Sequence, residues 1–195
     1  MLEEEYQPRR VLPPHLRAPA EPAPVFSYEI REAVEADLPW IREIYNHYVA
    51  NSTVTFDEKP WTLRGLRAKF GKIRKLGHPF LVAESPAGVI LGFAHVYPWK
   101  EKAAYRFTVE NSIYLGPGAT GKGLGRVLLE QLLERSRDAG IKEVIAVIAD
   151  RGADASIALH EQFGFVETGR MARVGYKFER WLGIVMMQKS LKKRR

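Results

Sequence analysis

Apolar residues recur at helical spacing at Leu38, Ile41, Ile44, Tyr45 and Tyr48, which predicts a helix from its cap at Asp37 to about Asn51. A second helix is predicted over about 62–76. A third carries Leu124, Leu128 and Leu132 beside Leu129 and Leu133, sets Arg126, Glu130, Glu134 and Arg137 outside, and stops at Gly140. A short fourth helix, about 155–163, ends at Gly164. Strand patterns fill the intervals: 25–33, the pair 80–84 and 89–97 across the turn 85–88, then 107–115, 144–148, 165–174 and 181–188. The run Val144-Ile145-Ala146-Val147-Ile148 is apolar throughout, as expected of a strand buried on both faces. The order β, α, α, three β, α, β, α, β, β predicts a mixed α/β (α+β) domain.

Composition narrows this picture. A chain of 195 residues with 46% hydrophobic content is long enough for one well-filled core. Half of its 12 prolines fall in residues 1–25, so that stretch reads as an extended arm. The folded domain is expected over 26–190, with a basic tail at 191–195. No apolar run approaches the roughly 18 residues of a membrane span, and the acidic N-terminus lacks the apolar core of a signal peptide. The absence of cysteine excludes disulfides, thiolate metal sites and a cysteine nucleophile. Cytoplasmic residence is expected. Five basic residues of the net +7 charge lie in the last seven positions, with no aromatic residue among them. A solvated tail is therefore expected there, rather than a nucleic-acid site.

Candidate chemistry concentrates in Gly116-Pro117-Gly118-Ala119-Thr120-Gly121-Lys122-Gly123-Leu124-Gly125-Arg126, which lies between a predicted strand and a predicted helix. Strand, glycine turn, helix is a way to build an anion site: glycines allow close backbone approach, and the first-turn N–H groups have no partner within the helix. The spacing does not fit a P-loop, because Gly123 stands where Ser or Thr is required. It spells a dinucleotide fingerprint only loosely, with the helix starting late and no acidic residue at the end of a following strand. The histidines are scattered, and none is spaced three or four residues from another, so no metal site is expected.

The glycine turn, the apolar strand after it and Ser156-Ile157-Ala158-Leu159-His160-Glu161-Gln162-Phe163-Gly164-Phe165 together resemble the GNAT superfamily of acyl-CoA N-acyltransferases. Three further blocks narrow the resemblance: Ile44-Tyr45-Asn46-His47-Tyr48-Val49, Pro98-Trp99-Lys100 and Thr108-Val109-Glu110-Asn111-Ser112-Ile113-Tyr114. They are similar to the phosphinothricin and methionine sulfoximine acetyltransferases, over about residues 28–190. The resemblance implies a mixed, mostly antiparallel sheet of six to seven strands that splays after the fourth, flanked by about four helices. It implies acetyl-CoA as cosubstrate, no metal, a small amine acceptor and a homodimer. The cofactor would lie along Ile113, Tyr114 and Leu115, with its pyrophosphate over Thr120, Gly121, Lys122, Gly123, Leu124, Gly125 and Arg126, and Ser156 beyond.

The resemblance gives Glu110 the role of general base, needed because amino-acid amines are mostly protonated at neutral pH. It puts His160 near the sulfur, as an acid for the leaving thiolate or as an orienting group. For the acceptor it points to Phe56 as an apolar wall and to Trp99, Lys100, Tyr105 and Arg106, with Arg106 suited to pairing with a carboxylate. Tyr45 and Tyr48 are expected in the core. Two positions depart from the family. Thr120 replaces the usual Gln or Arg, and Ala153 replaces an Asn that hydrogen-bonds the pantetheine, so weaker cofactor binding is expected. Two other readings remain open at this level: a protein or peptide amine as acceptor, or a non-catalytic domain that binds acyl-CoA or RNA.

Overall fold

The computed structural model describes residues 26–191. The proline-rich arm over 1–25 and all but Leu191 of the basic tail lie outside them. A seven-stranded sheet runs through the described domain in the order β1-β2-β3-β4-β5-β7-β6. Its strands are β1 (Glu29–Glu32), β2 (Phe80–Glu84), β3 (Ile90–Pro98), β4 (Thr108–Leu115), β5 (Glu143–Ala149), β6 (Val166–Lys177) and β7 (Arg180–Ser190). Four helices, α1 (Leu38–Asn51), α2 (Leu63–Lys75), α3 (Leu124–Asp138) and α4 (Asp154–Gln162), cover it. The element order matches the one read from the sequence. The first strand is shorter than expected, and the last two are longer.

Every adjacent strand pair is antiparallel except β4 with β5. That parallel pair joins only Thr108–Glu143, Val109–Val144 and Glu110–Ile145. Beyond Glu110 the two strands separate, while β4 stays paired to β3 as far as Leu115 and β5 to β7 as far as Ala149. The sheet therefore opens into a cleft at its centre, as the resemblance implied.

Two apolar clusters form the core, one on each face of the sheet. On one face, Leu66, Phe70 and Ile73 of α2 and Leu38, Ile41 and Ile44 of α1 pack on Phe80, Val82 and Phe93. On the other, the leucine stripe of α3 packs on Leu81, Ala94, Val96 and Val109, and the same cluster takes in Val144 and Val185. Thr62 caps α2 through its hydroxyl, which accepts the Gly65 N–H at 3.0 Å. Asp37 does not cap α1 with its side chain as expected. Its buried carboxylate accepts the Val34 N–H at 2.8 Å and two guanidinium bonds from Arg31, fixing the turn that joins β1 to α1. Arg31 also reaches Glu84 on β2. This bidentate pairing holds the Asp37 carboxyl below its ordinary range against the opposing effect of burial, and raises the guanidinium further above its own.

Candidate active site

Two cavities flank the point where β4 and β5 part, and Glu110 borders both. The first, of about 490 Å³, runs along the unpaired part of β4 to the glycine turn. Ile113, Tyr114, Leu115, Thr120, Gly121, Gly125 and Ser156 line it, together with Ala146–Ala149 of β5, Ala153 and His160. At its end Gly123 holds the left-handed conformation (φ 78°) that turns the chain into α3. Among the described residues, no protein acceptor meets the N–H groups of Gly123, Leu124 and Gly125. The backbone thus presents free donors at the positive end of a 15-residue helix.

The sequence-predicted groove residues separate into two sets. Lys122 and Arg126 are exposed, and neither they, Gly123 nor Leu124 lines the cavity wall. The Lys122 ammonium lies over the Phe26 ring at 4.6 Å. Leu124 is fully buried beneath α3, because the periodicity that makes the helix amphipathic turns its first leucine into the core. Thr120 folds its hydroxyl back to donate to the Pro117 carbonyl at 3.2 Å. Ala153 stands at the N-cap of α4, and its methyl side chain makes no cap hydrogen bond there.

His160 is buried, and both of its ring nitrogens are engaged. Nδ1–H donates to the Ser156 carbonyl at 2.7 Å, and Nε2 accepts from Asn111 Nδ2 at 2.9 Å. Burial holds its pKa below the ordinary histidine value. In this arrangement the ring has neither a free proton nor a free lone pair for a thiolate. Of the two roles the resemblance leaves open for His160, this geometry suits the orienting one.

The second cavity, of about 550 Å³, lies on the opposite side of Glu110. Its wall collects Tyr45 from α1, residues 54–57 from the loop after α1, Trp61, Lys69 from α2, Ser112 and Tyr114 from β4, and Ile184 from β7. Asp57 organises one side. Its Oδ2 accepts from Tyr45 Oη at 2.7 Å and from Trp61 Nε1 at 2.9 Å, while Trp61 stacks on Tyr45 with ring centres 3.7 Å apart. Lys177, at the far end of β6, fixes the same loop by donating to the Ser52 and Thr55 carbonyls at 2.7 and 2.9 Å. Phe56 lines the cavity as expected and packs so closely on Gly175 that a Cβ there would stand 2.5 Å from its ring.

Burial raises the Glu110 carboxyl above its ordinary range, while Lys69 and Lys100 pull it back down. A carboxylate so placed takes up a proton more readily than an exposed one. Burial likewise pushes the Tyr114 phenol up to about 12, so it faces the cavity as a neutral hydroxyl.

The acceptor residues expected from the sequence are brought to this cavity only in part. Trp99, Lys100, Tyr105 and Arg106 sit on the connection between β3 and β4 and do not line the wall. Arg106 is exposed, donates to the Ala103 carbonyl at 3.3 Å and stacks on Phe107. Lys100 covers the Trp99 ring at 4.5 Å. Tyr45 is buried in the core as expected and Tyr48 packs against it, and both also line the cavities. Tyr48 lines the groove and its hydroxyl donates to the Leu115 carbonyl at 2.7 Å. Asp57, Trp61, Lys69 and Asn111 were not singled out in the sequence. Each looks like an ordinary loop, helix-edge or strand residue until the elements assemble. Among the described residues no cluster of three or more metal-ligating side chains occurs, and no helix is long and apolar enough to cross a membrane.

Comparison with known proteins adds to this geometry. Residues 41–165 match the acetyltransferase (GNAT) family. The chain is 43% identical over 165 residues to an L-methionine sulfoximine/L-methionine sulfone acetyltransferase of Pseudomonas paraeruginosa, covering 85% of this chain and 95% of that one. It is 41% identical over 162 residues to a phosphinothricin N-acetyltransferase of Alcaligenes faecalis, covering 83% and 82% of the two chains. The crystal structure of a phosphinothricin acetyltransferase from Sinorhizobium meliloti in complex with acetyl-CoA superposes with a TM-score of 0.80 at 41% identity, over 84% of this chain and 88% of that one.

Proposed function

The chain belongs to the acetyltransferase (GNAT) family, and from that premise we propose that it transfers an acetyl group from acetyl-CoA to the α-amine of a small amino acid or analogue, of the phosphinothricin, methionine sulfoximine or methionine sulfone type. The observation that carries this reading is the position of Glu110, a half-buried carboxylate shared by two cavities of different character. One ends at a helix N-terminus suited to a phosphate, and the other is an aromatic, charged chamber of small-molecule size.

The groove fits the cosubstrate. The free N–H groups at 123–125 suit a pyrophosphate, and the unpaired edge of β4 beyond Glu110 suits an extended amide chain. When bound, acetyl-CoA supplies an acyl thioester. The protein's own residues then act on the acceptor. Glu110 takes the proton from the incoming ammonium, and its raised pKa suits that transfer. His160 holds Asn111, and with it the segment of β4 after Glu110, in place. Tyr45, Asp57 and Trp61 shape the acceptor side as a rigid aromatic wall.

The β6–β7 hairpin exposes Met171, Val174, Tyr176, Phe178 and Trp181. That apolar surface supports a homodimer, which light scattering would detect. The function itself is tested by following thiol release from acetyl-CoA with phosphinothricin, methionine sulfoximine, methionine sulfone and a set of peptides. Turnover of the amino acids and not the peptides is expected. Turnover of peptides alone would overturn the reading.

A further inference from the structure

One cation in the acceptor cavity has no oxygen to bind. Lys69 reaches the cavity from α2, and it is the one basic side chain among the described residues that line it. Its ammonium lies 4.6 Å from the centre of the Trp61 ring and 5.5 Å from that of Tyr97. These rings offer it only π faces. Among the described residues neither a hydrogen bond nor an ion pair reaches its nitrogen. Asp57, on the loop, turns its Oδ2 to Tyr45 and Trp61. Burial pulls the ammonium down to about 8, against the opposing fields of Glu110 and Asp57.

A half-buried ammonium without an acceptor is costly, and a ligand oxygen would relieve that cost. The charges of the cavity say which ligand. The amine to be acetylated must come to Glu110, since only there do the two cavities meet the same carboxylate. An α-amino acid carries its second charge one carbon further on, and that charge is negative. We infer that Lys69 binds the α-carboxylate of the acceptor and thereby selects free amino acids over amides and peptide amines. The inference rests on the amino-acid reading above. It replaces Arg106, whose guanidinium is turned to Ala103 and Phe107 on an exposed connection.

The test compares L-methionine sulfone with its α-carboxamide as acceptors, by initial rates of thiol release, in the wild type, Lys69→Met and Lys69→Arg. A charge-assisted hydrogen bond corresponds to about 10- to 150-fold, and the wild type is expected to prefer the acid by that order in kcat/KM. Lys69→Met should lose most of this preference through the KM of the acid while leaving the carboxamide nearly unchanged, and Lys69→Arg should retain it. A purely structural lysine would lower both substrates alike, and that result overturns the inference. So does a wild type that does not distinguish acid from carboxamide, which requires no variant to fold. Equilibrium dialysis of 4-(methylsulfonyl)butanoate, a carboxylate without an amine, in the presence of coenzyme A separates the two levels. Weaker binding to Lys69→Met without amino-acid turnover would tell against the proposed function and still uphold the carboxylate site. Equal binding to both proteins would remove the site.

Discussion

The two cavities that meet at Glu110 are built in opposite ways. The groove proposed for the cofactor is made largely of backbone, from β4 running through the glycine turn into α3 and from β5 running towards α4. The cavity proposed for the acceptor is made of side chains drawn from α1, the 54–57 loop, α2, β4, β5 and β7. Backbone donors come with a turn and tolerate many side chains beside them. A wall of single side chains depends on every element arriving in register. The groove should therefore tolerate side-chain substitution better than the acceptor cavity.

The largest effect should come where the halves join. Glu110→Gln keeps the shape and removes the proton acceptor, so kcat at neutral pH is expected to fall by about 10²–10⁴. Because burial raises this carboxyl, the wild-type rate should decline as pH falls through a value above the ordinary glutamate range, where the base becomes protonated. That acid limb should vanish in the variant, and acetyl-CoA affinity should stay unchanged. A variant with normal kcat and the same pH profile would remove Glu110 from the chemistry.

On the groove side, Gly123→Val strains a residue at φ 78° and shifts the donors behind it. Losing one hydrogen bond to a charged group should raise the KM for acetyl-CoA by about 10- to 100-fold and leave that for the amine little changed. If only the melting temperature fell, the turn would be a structural corner and the contrast would collapse. On the acceptor side, Lys177→Met strands the Ser52 and Thr55 carbonyls. A loss of about 1–3 kcal/mol in stability is expected, with a higher KM for the amine and an unchanged one for acetyl-CoA. Denaturant melts and the two KM values check this together. The smallest effect belongs to Ala153→Asn, which adds a polar side chain at the start of α4. One added hydrogen bond of about 0.5–1.5 kcal/mol gives at most a roughly tenfold tighter acetyl-CoA complex, read by titration.

Legibility in the sequence follows the same division. The glycine turn, its strand and its helix are contiguous, so Thr120, Gly121, Gly125 and the preceding β4 residues could be assigned by reading along the chain. Lys122, Leu124 and Arg126 belong to the same motif, but the face each takes on α3 or the turn keeps them off the groove wall. Lys69 sits three residues after Leu66 and one before Phe70, and reads as a solvated residue beside an apolar stripe. Only the packing of α2 beside Trp61 and Tyr97 makes it a cavity residue. The same holds for Tyr45, whose helical spacing marks it as core, while its hydroxyl reaches the loop at Thr55 and Asp57.

By itself, the sequence determined what is local: the alternation of helix and strand, the strand–glycine turn–helix arrangement at 111–126, and the stop of α3 at Gly140. Periodicity and turn chemistry act over a few residues and can be read there. Tertiary structure alone decided where β4 leaves β5, which cation faces the cavity, and that both nitrogens of His160 are occupied. These depend on pairings between residues far apart in the chain, such as Asn111 with His160 or Lys177 with Ser52, whose partners are chosen by packing of the whole sheet and not by any neighbour in sequence.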